Sequence, residues 1–166
     1  MSPEQRSALM RRYAAGPALL AEALRKIPPE ARQWKPAPDK WSAHEVVCHC
    51  ADSETVSSTR IRYLVGEDRP TIAGYDQDRW ARSFDYHALP LDLALRQVEQ
   101  VRAWTADLIQ RLPESAWART GTHTESGPYT AELPSNRMSS LPPIRLTNTT
   151  GRRCLRAIAA NISGRA

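Results

Sequence analysis

Cys48-His49-Cys50 is the stretch of this chain whose residue types most suggest chemistry, because thiolates and imidazoles are metal ligands. The spacing works against that reading. Adjacent residues on a helix point about 100° apart, so three in a row do not converge on one ion. The two cysteines read instead as small apolar residues of a packed helix. Cys154 is the third, and three cysteines without framework spacing argue against a disulfide scaffold. Taken alone, His49 reads as a buried, hydrogen-bonded core histidine. Glu45 and Asp52, at i−4 and i+3, share its face and are placed to orient it. Each also has a plainer use, in capping the helix start or solvating its surface. His44 falls at the second helical position and reads as a surface residue. His123 reads as a loop histidine.

These side chains depend on the helix that carries them, and its start is the clearest local signal in the chain. Ser42-Ala43-His44-Glu45 is a capping box, with Trp41 and Val46 at the positions of a hydrophobic staple. The pattern predicts a helix from Ser42 to about Val65, ended by Gly66, with Val46, Val47, Cys50, Ile61 and Leu64 facing inward. An earlier helix begins at Ser2-Pro3-Glu4-Gln5, and Gly16-Pro17 predicts a kink or break in it. A later helix runs from about Pro90 to Leu112 along the stripe Leu91, Ala94, Val98, Val101, Thr105, Leu108 and Leu112. Residues 66–89 form a long connection. Nothing alternates with a period of two, so no sheet is expected.

The 166 residues suggest one domain, with 41% hydrophobic and 25% charged residues, as in an ordinary globular protein. No run approaches the roughly 20 apolar residues needed to span a bilayer, and the start lacks the regions of a signal peptide. A cytoplasmic location and no membrane partner are therefore expected. The net charge of +5 is unevenly spread: residues 1–133 hold 17 Lys+Arg against 18 Asp+Glu, and residues 134–166 hold six arginines and no acid. The body has no basic stripe that would track phosphates, which argues against a nucleic-acid partner.

The segment from Trp41 to Glu54, with its tryptophan, capping serine, and histidine followed by a small residue and an acid, resembles the second helix of the DinB/YfiT-like superfamily. Tyr75-Asp76-Gln77-Asp78-Arg79-Trp80-Ala81 resembles the loop that follows it. Asp85-Tyr86, the helix from Pro90, and Trp117, His123 and Gly127 fit the pattern in order. The resemblance covers roughly residues 5–133. It implies an all-α fold, a four-helix bundle of up-down-down-up topology. It also implies a metal-dependent hydrolase or thiol S-transferase acting on a small-molecule or thiol substrate. In such proteins three histidines hold zinc or nickel, one on helix two and two in a His-x-x-x-His pair on the last helix. An open position then activates a water or thiol. His49 matches the helix-two ligand.

The chain departs from this pattern after Leu133. No histidine follows His123, so the pair is missing and the metal is expected to be weakly held or absent. Pro134 and Pro142-Pro143 would interrupt the last helix. The expected organisation is a bundle domain over 1–133 and an atypical basic segment over 134–166. The acid-free tail and 20 Arg against 3 Lys fit a shifted reading frame in a GC-rich gene as well as divergence. The implied function is a member of this superfamily with weakened activity. The alternative is a non-catalytic helical module that binds a small molecule or a protein, with a homodimer left open.

Overall fold

A computed structural model describes residues 2–130. Their order is α1 (Pro3–Arg25), a short 3-10 turn (Pro29–Ala31), α2 (Ala43–Gly66), β1 (Thr71–Ile72), α3 (Gln77–Ser83) and α4 (Leu91–Gln110). A second 3-10 turn (Glu114–Ala118), β2 (Thr120–His123) and β3 (Gly127–Thr130) complete it. The domain boundary at 133 and the interrupted last helix lie outside the described residues.

Both capping boxes form. Ser2 accepts from the Gln5 amide while Gln5 returns a bond to the Ser2 amide. Ser42 and Glu45 do the same for α2. Each pair satisfies two of the amide donors that a helix start leaves without partners. α2 packs mainly on α4, and α4 also on α1. One apolar cluster joins Leu24, Ile27, Trp41, Val46, Val47, Tyr86 and Val98 at one end. Tyr13, Ile61, Ala106, Ile109 and Trp117 form a second at the other.

The break expected at Gly16-Pro17 does not occur: α1 runs unbroken through Pro17. The reason lies on α4. Pro17 has no amide hydrogen for the carbonyl of Tyr13, four residues back. The buried Arg102 donates Nη1 to that carbonyl at 3.3 Å instead. Gly16 makes the room, since a Cβ there would overlap the Arg102 guanidinium. Arg102 also pairs with Glu54 of α2, with side chains 2% and 0% exposed, and stacks 4.6 Å over the Tyr13 ring. The Tyr13 hydroxyl donates to the other Glu54 oxygen at 3.0 Å. Burial and the Glu54 charge push the Tyr13 phenol well above its usual range, so it stays a donor. Gly16→Ala should therefore destabilise the bundle by about 1–3 kcal/mol despite alanine's better helix propensity. A chemical denaturation curve checks this; an unchanged midpoint would mean that Arg102 swings aside without loss.

The inward face of α4 is accordingly Ala94, Val98, Arg102, Thr105, Ala106 and Ile109, rotated from the predicted stripe.

The expectation of no sheet is wrong. A small three-stranded sheet forms, with β1 parallel to β2 and β2 antiparallel to β3. β2 does alternate, with Gly121 and His123 inward. Glycine in an inward position carries no hydrophobic signal, so the period of two was hidden. A Cβ at Gly121 would stand 2.6 Å from the Pro70 carbonyl oxygen and 3.1 Å from Leu64 Cδ2.

Candidate functional site

His49 sits on the second turn of α2 among its most buried residues and is 3% exposed. It faces inward, as its place beside Val46 and Cys50 predicts. Trp41, held by the chain that leads into the capping box, meets the imidazole edge-on with ring centroids 4.8 Å apart. Trp41 Nε1 donates to Asp78 Oδ1 at 2.9 Å, so α3 is fastened to the same corner. Asp78 lies close enough for its charge to favour the imidazolium. Burial outweighs it and pushes the His49 pKa down to about 4. Nδ1 is enclosed and has no hydrogen-bond partner. This corrects the reading of His49 as a hydrogen-bonded core histidine.

At neutral pH His49 is thus an uncharged imidazole with an enclosed, unpartnered nitrogen, the protonation state a metal ligand requires. Its depressed pKa also sets a pH dependence. Between pH 6.5 and about 4 the unfolded chain binds a proton that the folded chain refuses, so stability falls on acidification through that window. Full development of the shift corresponds to about 3 kcal/mol. His49→Gln should remove that part of the slope, read from denaturation midpoints at pH 7.5 and 4.5. Equal slopes in both proteins would show that His49 titrates normally in the fold.

The neighbouring candidates do different work. Glu45 receives the Ser42 amide at 2.7 Å and the Lys35 ammonium at 2.8 Å. Asp52 accepts the Tyr86 hydroxyl. Neither acid is hydrogen-bonded to His49, so the expectation that they orient it is not met. His44 is not a surface residue: it is 8% exposed, and its Nε2–H donates to the Leu89 carbonyl at 2.8 Å. His123 is buried on β2, where Nδ1 accepts from the Glu125 amide at 3.2 Å and the ring meets Tyr129 at 5.3 Å. Cys48 and Cys50 are buried, and burial pushes the Cys48 thiol up to about 12, far from a nucleophile's range.

Sequence reasoning did not single out Trp41 and Asp78 as neighbours of His49. Trp41 was legible as half of the staple and Asp78 as part of the segment after helix two, but their meeting depends on how α3 folds back.

No three His, Cys, Asp or Glu side chains converge on a point among the described residues. Since a catalytic zinc needs three protein ligands, His49 fits a metal while the rest of the described set does not complete a centre. No metal-dependent step follows from these residues.

Comparison with known proteins bears on the same region. The DinB superfamily pattern matches residues 12–135. A protein of Oceanobacillus iheyensis named "putative metal-dependent hydrolase" is 32% identical over 87 residues, covering 52% of this chain and 50% of its own length. One of the same name from Bacillus mycoides is 31% identical over equal shares. The chain thus spans about half the length of the curated relatives it matches. Among solved structures, YfiT from Bacillus subtilis superposes with a TM-score of 0.78 at 19% identity, covering 99% of this chain and 87% of that one. It is described as "a probable metal-dependent hydrolase with an unusual four-helix bundle topology".

Proposed function

We propose, starting from the premise that this chain belongs to the DinB superfamily, that it descends from metal-dependent hydrolases or thiol S-transferases whose metal centre it carries only in part. His49 keeps the helix-two ligand position, and loss of the C-terminal histidine pair leaves catalysis weak. The observation that carries this is the enclosed, unpartnered Nδ1 of His49. A structural core histidine ordinarily satisfies its buried nitrogens, so an unsatisfied one here fits a ligand whose ion has been lost. The names of the relatives support a divalent metal in the ancestry, with zinc or nickel expected from the resemblance.

We attribute the loss to a shifted reading frame near codon 133. Asp and Glu are absent after Glu132, and the family match ends at residue 135. Six arginines fall in the same 33 residues. Gradual divergence would tend to keep an apolar stripe, because its loss uncovers the core that the other helices share.

Hydrolysis of a simple activated ester, with and without added zinc or nickel, tests the functional reading. The expected result is no stimulation beyond that of the free ions. Stimulation that disappears in His49→Ala would overturn the claim of a weakened centre.

A second reading, a non-catalytic module that binds a small molecule, is favoured by a groove on the other end of α2.

A further inference from the structure

A groove of about 380 Å³ runs between α2 and residues 71–80. Val56, Arg60 and Tyr63 line it from the helix, and Ala73, Tyr75 and Trp80 from the opposite wall. Arg60 lies eleven residues after His49, about 16 Å further along nearly the same face of α2. The volume falls in the range of small-molecule sites, which combine apolar walls with a few placed polar groups. The Tyr75 and Trp80 rings meet at 4.3 Å, tilted by 38°, and make an aromatic side of the groove. Tyr63 stands half-exposed across from them.

Arg60 is the unusual member. Its Nη2 donates to the Ala73 carbonyl at 2.6 Å, which fixes the guanidinium at the wall. Its Nε is enclosed and has no acceptor. No ion pair engages it among the described residues, in contrast to the buried Arg102 with its Glu54 partner further along the bundle. No carboxylate is among the groove's lining residues, although the Glu125 carboxylate packs against Gly74 of its wall. Thr55 and Thr59 commit their hydroxyl hydrogens to the carbonyls of Ala51 and Thr55, both at 3.0 Å. That leaves Arg60 as the groove's charged donor.

We propose that this groove is a binding site for a small organic anion, a flat apolar body that stacks beside Tyr75 and Trp80 and carries a carboxylate-like oxygen read by Arg60. A planar guanidinium held at an apolar wall pairs with such an oxygen more strongly than a solvated lysine would. The site does not depend on a bound metal, so it stands or falls apart from the proposed metal ancestry.

Calorimetric titration in the presence of a chelator tests it, with 1-naphthoate and its neutral counterpart 1-naphthalenemethanol as probes. The full chain should bind naphthoate at least about tenfold more tightly than the alcohol. Arg60→Gln should abolish that difference, Arg60→Lys should keep part of it, and Arg79→Gln, outside the groove, should leave it intact. Equal binding of the two probes to the wild-type chain would overturn the proposal. So would no naphthoate binding up to about 10 mM, or an Arg60→Gln variant that still discriminates. Should melting curves show Arg60→Gln unfolded, the wild-type comparison of the two probes decides alone.

Discussion

Arg102→Met should lower the stability of the bundle by about 3–5 kcal/mol, the cost of stranding one partner of a buried ion pair. Few single substitutions at other sites should cost as much. The loss has three sources that can be named. Glu54, fully buried, would keep the Tyr13 hydroxyl as its one remaining hydrogen-bond donor among the described residues. The Tyr13 carbonyl, left without its amide by Pro17, would lose its substitute donor. The space beside Gly16 that admits the guanidinium would be filled less well. The double variant Arg102→Met/Glu54→Leu should recover the part of the loss that comes from the stranded Glu54 carboxylate, because replacing a whole buried pair by apolar groups is often neutral, while the Tyr13 carbonyl stays without its substitute donor. Denaturant titration of both singles and the double gives the coupling energy directly. Additive losses in the double would mean that the two side chains act independently, and the interpretation of Arg102 as the clasp of three helices would fail.

Restoring the reading frame beyond codon 133 should tighten zinc or nickel binding on the order of a thousandfold or more. A complete structural zinc site contributes about 10–16 kcal/mol over its ligands, so two added imidazoles change the affinity by orders of magnitude. The restored chain should also melt at a higher temperature in the presence of metal, since a ligand that binds only the folded state stabilises it. Sequencing the locus and translating every frame is the first check. If neither alternative frame encodes an amphipathic segment with at least two histidines, the frame shift is refuted and the tail is divergent.

Much of the positioning was legible in the chain because it rests on short-range chemistry. Ser42 and Glu45 specify where α2 begins, and that fixes His49 two turns later on the buried side. The segments 41–54, 75–81 and 117–127, taken in order, pointed to the family, and the family match over residues 12–135 agrees. The rest depends on contacts between elements. Nothing in the sequence marks Arg102 on α4, because a charge reveals itself as buried only once Glu54 and the Tyr13 carbonyl stand opposite it. Gly16-Pro17 reads locally as a break for the same reason: the donor that repairs it comes from a residue 85 positions later or more. His44 was placed on the surface because the Leu89 carbonyl that receives its proton belongs to a distant loop. The sheet was missed because its inward positions include a glycine and its strands are two to four residues long.

The central claim is that His49 is the remaining member of a metal centre the chain no longer completes. Elemental analysis of the purified protein after dialysis against a chelator, followed by one equivalent of zinc or nickel and gel filtration, tests it most directly. Well under one bound ion per chain is expected, because one imidazole holds a divalent metal only weakly. One equivalent of metal retained by the wild-type chain and lost in His49→Ala would contradict it, and would show that other residues supply the missing ligands.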